Sequence, residues 1–184
     1  MYMRTMTRTA LMAAVTAVSS QIAIPLFPVP FTLQVFAVVL TGLLLGPRHG
    51  ALAMAIYLLV GAVGVPVFAG FKGGLGIIFG PTGGYLVSYP LAAAIAGLAA
   101  HAVANAAART LRRRALTLSV IAGTAALLVI YAVGMTWLVI VAQLPMLVAL
   151  AQGVLPFVAF DLVKVGLAAL VAVAAAPAIA PLRP

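Results

Sequence analysis

Leu155-Pro-Phe-Val-Ala-Phe-Asp161-Leu-Val-Lys164-Val-Gly-Leu-Ala-Ala-Leu-Val-Ala-Val-Ala-Ala-Ala176 is an apolar run of membrane-spanning length, interrupted by one acid and one base. Asp161 is the only acidic residue among the 184 of the chain. An ionisable pair inside such a segment is costly to keep, so it marks a functional site by default. At spacing i, i+3 on a helix the two side chains share a face, where both can meet one ligand or each other. Two readings follow: a ligand contact, or an internal ion pair that lets the helix carry a lysine.

The rest of the chain agrees with a bilayer as solvent. Hydrophobic residues make up 66% and charged residues only 6%, against about 25% charged in a globular domain. The expected fold is therefore an all-α integral membrane protein, a single transmembrane domain over residues 1–184, with six helices and short loops. The net charge of +9 is no nucleic-acid footprint, because the cations lie singly or in one short cluster between apolar runs. The basic, apolar N-terminus reads as a retained first helix, since it runs into Pro-rich loop sequence without a small-residue cleavage pattern. With no cysteine, disulfide and thiolate chemistry are excluded.

Six apolar segments can be drawn: Thr9 to Ile24, Thr32 to Gly46, Gly50 to Val65, Gly83 to Ala107, Ala115 to Ala142, and Leu155 to Ala176. Both termini in the cytoplasm puts Arg4, Arg8, Arg48, Arg109, Arg112, Arg113, Arg114 and Arg183 inside, and leaves Lys72 outside. The reverse orientation would violate the positive-inside rule. The outer side then carries structured Pro- and Gly-rich loops: Pro25 to Pro30, Pro66 to Gly84, and Gln143 to Gln152. Asp161 would lie about 8 Å below the outer start of helix six, at 1.5 Å rise per residue. That depth suits a pocket opening outward and does not suit a proton wire across the bilayer.

The segment Phe71-Lys-Gly-Gly-Leu-Gly-Ile-Ile-Phe-Gly-Pro-Thr-Gly-Gly-Tyr85 fits neither a P-loop nor a dinucleotide fingerprint. It reads as a tight crossing loop or as a glycine-hinged lid over a ligand. Phe31-Thr-Leu-Gln34 opens helix two at the same mouth, with Thr32 as the expected N-cap. The Gln34 amide can serve a ureido-like ligand or a neighbouring helix. Helix one carries small residues at Ala10, Ala13, Ala14 and Ala17, a strip suited to close helix approach within the chain or to a partner subunit. His101 and Asn105 have no companion ligands for a metal, and Ser19, Ser20 and Ser88 lack a His–carboxylate pair for catalysis. Arg109 and Arg112 to Arg114 form a stop-transfer cluster that can also touch anionic membrane lipid.

Taken together, Pro30-Phe-Thr-Leu-Gln34, Gly64-Val-Pro-Val-Phe-Ala-Gly70, Gly73-Gly-Leu-Gly76, Phe79-Gly-Pro-Thr-Gly-Gly-Tyr85 and Asp161-Leu-Val-Lys164 resemble the BioY family. These are the substrate-binding membrane subunits (S components) of energy-coupling-factor biotin transporters. The resemblance implies a multi-pass protein of the bacterial inner membrane that captures biotin from outside and has no catalytic activity and no cofactor of its own. Its partners would be a transmembrane coupling subunit and two ATPase subunits, which handle the ATP. The resemblance places the substrate site at Asp161, Lys164, Gln34, Thr32, Phe31, Gly73, Gly74, Phe79 and Tyr85, with Phe68 among the apolar walls. It places partner docking at Ala10, Ala14 and Ala17. Biotin offers a carboxylate tail and a ureido head with two donors and one acceptor, which Asp161 and Lys164 can meet by charge-assisted hydrogen bonds. Two other classes compete: an ion-coupled carrier using Asp161, and a membrane scaffold in which the pair only fixes helix register.

Overall fold

The computed structural model of the chain describes residues 2–26, 28–106 and 109–179. It is a bundle of apolar helices whose Pro- and Gly-rich loops gather at one end. Helix α1 spans Tyr2–Gln21 and is followed by a minimal hairpin, β1 Ala23–Ile24 against β2 Phe31–Thr32. Helix α2 covers Gln34–Ala62, and a short α3, Leu75–Ile78, sits inside the glycine-rich loop. Then come α4 Gly83–Gly97, α5 Ala100–Ala104, α6 Arg109–Ala142, α7 Met146–Gly153 and α8 Val158–Ile179.

Helix α2 is two rods. Gly46, at φ 79°, sits outside helical geometry just before Pro47, and the chain reverses there. Glycine takes this left-handed conformation without the penalty a Cβ would add, and the proline cannot donate to the turn before it. The reversal brings Gln34 and Tyr57, 23 residues apart, within 2.8 Å of each other. In a straight helix they would be about 35 Å apart. The two arms, 34–45 and 47–62, correspond to the second and third expected segments.

Among the described residues, three helical stretches are long and apolar enough to cross a membrane by length and composition: Gln34–Ala62, Leu111–Ala142 and Val158–Ala176. The first of these is bent at Gly46 into two arms and is not one rod. Helix α4 packs most extensively on α2 and α6. Its last residue, Gly97, lies so near the α2 turn that a Cβ there would be 2.5 Å from the Gly46 carbonyl carbon and the Pro47 nitrogen. Small side chains fill this crossing, with Ala92, Ala93 and Ala96 fully buried, as expected where helices associate by van der Waals contact.

These contacts define the two ends. The Gly46–Pro47 turn, with Arg48 beside it, meets the end of α4 and marks one end. Arg112 to Arg114 occupy the first turns of α6, whose far turns carry Trp137 to the Gly80 carbonyl at 2.9 Å. Ser20, near the end of α1, lies 2.6 Å from the Val67 carbonyl, so Arg4 and Arg8 stand at the arginine end. The opposite end carries the hairpin, α3, α7 and Lys72. Arg183 lies outside the described residues.

Several boundaries differ from the sequence expectation. Helix α1 begins at Tyr2 and stops at Gln21 instead of running from Thr9 to Ile24, because Ala23 and Ile24 pair with Thr32 and Phe31. Thr32 is thus a strand residue, and Leu33 is the N-cap of α2. The fifth segment starts at Arg109 rather than Ala115, since arginine is a good helix former and the helix outlasts its apolar part. The expected loop Gln143 to Gln152 folds largely as α7, whose Ala149 is buried. The fourth segment breaks at Leu98 and Ala99, so α5 is separate, and Ala107 lies outside the described residues.

Candidate functional site

At the loop end, a cavity of about 630 Å³ opens among α1, the hairpin, α2, α4, α6 and α8. This is within the range of small-molecule sites, which are mostly apolar with a few convergent polar groups. Its polar floor is built on Asp161, 4% exposed, and Lys164, 6% exposed. The helical i, i+3 spacing holds Lys164 Nζ 2.7 Å from Asp161 Oδ1. Tyr131, reaching across from α6, donates to Asp161 Oδ2 at 2.7 Å. Lys164 Nζ also donates to the Thr32 carbonyl at 2.7 Å and stands 3.6 Å from the centre of the Phe31 ring. The buried ammonium is therefore compensated by a carboxylate, a carbonyl and an aromatic face, as a charge removed from water requires.

From Thr32 a second run of hydrogen bonds continues to α1. The Thr32 hydroxyl accepts from the Gln34 backbone N–H at 3.3 Å and donates to Gln34 Oε1 at 2.9 Å. Gln34 Nε2 donates to Tyr57 Oη at 2.8 Å, and Tyr57 donates to the Val67 carbonyl at 3.1 Å. Gln21 then clasps the loop with its amide, donating to the Phe68 carbonyl at 3.1 Å and accepting from the Phe71 N–H at 2.9 Å. Every polar atom along this line has a partner, so the network fixes side-chain positions around the cavity. The Gln34 amide is spent on Thr32 and Tyr57 within the protein.

Of the residues expected at the site, Phe31, Thr32, Gln34, Tyr85, Asp161 and Lys164 all line this cavity, as does Phe68. Phe31 is held by stacking on Phe157, with ring centres 6.2 Å apart, and by an edge contact to Phe160 at 5.4 Å. Tyr85 is anchored by its hydroxyl to the Gly153 carbonyl at 2.9 Å, which joins α4 to α7. Gly73, Gly74 and Phe79 are not among the lining residues, and Phe79 is exposed. The Gly73 position has its own structural reason: a Cβ there would lie 2.5 Å from the Val65 carbonyl oxygen. Gly74 donates its N–H to the Gly61 carbonyl at 2.7 Å, so this stretch is stitched to the end of α2.

Sequence reasoning did not single out Tyr131 or Tyr89. Tyr89 also lines the cavity, is buried, and its hydroxyl makes no hydrogen bond to the described residues. Each is a lone tyrosine in an apolar helix, a pattern that gives no periodic signal. The docking strip of α1 is split by the packing: Ala10 and Ala14 are exposed, Ala17 is half-buried, and Ala13 faces the core. Among the described residues no group of His, Cys, Asp and Glu is placed to hold a metal.

Comparison with known proteins gives a consistent set of likenesses. A family model described as the BioY family matches residues 1–181. A probable biotin transporter BioY from Pyrococcus horikoshii is 44% identical over 163 residues, covering 89% of this chain and 90% of its own. The biotin transporter BioY of Thermotoga maritima is 42% identical over 170 residues, covering 92% and 94%. The crystal structure of the S-component for biotin from an ECF-type ABC transporter superposes with a TM-score of 0.78 at 25% identity, covering 94% of this chain and 90% of that one.

Proposed function

The chain belongs to the BioY family, and from that premise we propose that it captures biotin in the cavity over Asp161 and Lys164 as the S component of an ECF-type transporter. The observation that carries the reading is the buried, fully bonded Asp161–Lys164–Tyr131 cluster at the floor of a ligand-sized cavity. Each Asp161 oxygen keeps a lone pair beyond its bonds to Lys164 and Tyr131, so the carboxylate can accept from ureido N–H groups. Tyr89 can donate to the ureido oxygen. Phe31, Phe68 and Tyr85 supply apolar cover for the ring system.

Six spans with both termini in the cytoplasm are supported by the gathering of Arg4, Arg8, Arg48 and Arg112 to Arg114 at one end, away from the cavity. The positive-inside rule then turns the cavity outward, at the cell surface. Energy would come from a coupling subunit and two ATPase subunits, the former docking on the exposed Ala10–Ala14 face of α1. The chain itself would bind and translocate without catalysis.

Uptake of labelled biotin by cells expressing the chain with its ECF partners tests the reading. Uptake should survive a collapsed ion gradient and stop on ATP depletion. Loss of uptake with the gradient alone would point to an ion-coupled carrier using Asp161. No biotin-specific uptake or binding would return the Asp161–Lys164 pair to a scaffold role.

A further inference from the structure

Lys164 has at most one donor left for a ligand's carboxylate. An ammonium carries three N–H groups, and here two go to Asp161 Oδ1 and the Thr32 carbonyl while the Phe31 ring centre stands 3.6 Å from Nζ. A ligand carboxylate brought to this floor would also meet the Asp161 carboxyl group. The ureido head, with two donors, suits the floor better.

Lys72 stands in the opposite condition. It lines the same cavity and is exposed. It forms no ion pair with any described residue, and the chain's single acidic side chain is already engaged by Lys164. Its backbone is nevertheless held in place. Phe68 and Lys72 exchange hydrogen bonds of 2.9 and 3.2 Å, closing a five-residue loop. Phe68 roots that loop in the core, 1% exposed and edge-on to Tyr57 at 5.6 Å. Gln21 grips the loop at Phe68 and again at Phe71, whose φ of 56° is a conformation that a bulky residue rarely adopts. Backbone strain of this kind persists only where the surroundings over-determine it, and it clusters at ligand clamps. The result is a rigid platform that presents one cation to the cavity rim without a counter-charge from the protein.

We propose that Lys72 binds the carboxylate of biotin, so that the ligand lies with its ureido head on Asp161 and its valerate tail toward the 68–72 loop. The inference rests on the biotin reading above and adds the orientation of the ligand and the residue that selects for its free acid. The contact is a charge-assisted hydrogen bond from Lys72 Nζ to a carboxylate oxygen, moderated by solvent at the rim.

The test is a pair of titrations on the purified full chain in detergent, with biotin and with biotin primary amide, which lacks the charge. Wild type should prefer biotin by roughly two- to fivefold, the range for a solvent-screened ion pair. Lys72→Met should lose that preference by weakening biotin more than the amide, and the amide binding that remains reports an intact fold. Lys72→Arg should restore most of the preference. A Lys72→Met protein that keeps the wild-type preference would overturn the inference and leave the carboxylate to another group. Equal weakening of both ligands would overturn it too, by reducing Lys72 to a loop-stabilising role. Wild type that binds neither ligand would overturn the biotin reading itself and this inference with it.

Discussion

The hydroxyl of Tyr131 on α6 donates to Asp161 Oδ2 on α8 at 2.7 Å, while Oδ1 takes Lys164. Tyr131 therefore sets the rotation of the carboxylate that the ligand meets. Tyr131→Phe keeps the ring and removes this one bond. Biotin affinity should fall by about 1 kcal/mol, roughly fivefold, with little change in thermal stability. Unchanged affinity by calorimetry would show that the lysine alone orients Asp161.

Asp161→Asn removes the anion but keeps the shape. Binding should weaken by roughly 1.5–3 kcal/mol if the carboxylate accepts from the ureido N–H groups. The same change strands a buried ammonium, so the protein should also melt lower. The double variant Asp161→Leu with Lys164→Met removes both charges and should melt above Asp161→Asn while binding no biotin. If the double variant melts lower than the single one, the pair stabilises the fold by more than mutual compensation.

The crossing of α4 on the α2 turn leaves no room at Gly97, where a Cβ would lie 2.5 Å from the backbone of Gly46 and Pro47. Gly97→Ala should cost about 1–3 kcal/mol by overpacking. Gly166→Ala, with nothing within 4 Å of the added carbon, is the control and should be neutral or stabilising by about 0.5–1 kcal/mol. Thermal unfolding followed by size-exclusion chromatography separates the two, and equal melting would disprove the close approach.

Helix α1 offers an internal comparison. Ala14 is exposed and Ala13 is buried one residue earlier. Ala14→Leu should leave biotin binding intact and abolish co-purification with the coupling subunit. Ala13→Leu should lower stability instead. Loss of folding in Ala14→Leu would assign the strip to packing within the chain.

The legible part of this molecule was written in charge and hydropathy. A solitary acid three residues before a lysine in an apolar run fixes its own geometry, because helical spacing alone brings Asp161 and Lys164 together. Arg4, Arg8, Arg48 and Arg112 to Arg114 likewise mark one end of the bundle, since they flank the apolar stretches. Tyr131 stayed hidden because its partner lies 30 residues away, and tertiary packing alone joins them. The β1–β2 hairpin was missed for a related reason: two residues on each side carry no period. Gly73 and Gly74 pointed to ligand approach by composition, and each also has a backbone reason: a Cβ at Gly73 would meet the Val65 carbonyl, and Gly74 holds a φ of 94°. Composition shows that a glycine is required and leaves open what approaches it.

The most direct test of the account is a calorimetric biotin titration of the purified wild type beside Lys164→Ala. The account predicts tight one-to-one binding for wild type and its loss in the variant, because removing Lys164 leaves the buried Asp161 without its charge partner and uncouples α8 from Thr32. Wild-type affinity in a folded Lys164→Ala protein would contradict it, placing biotin elsewhere than on the Asp161–Lys164 floor.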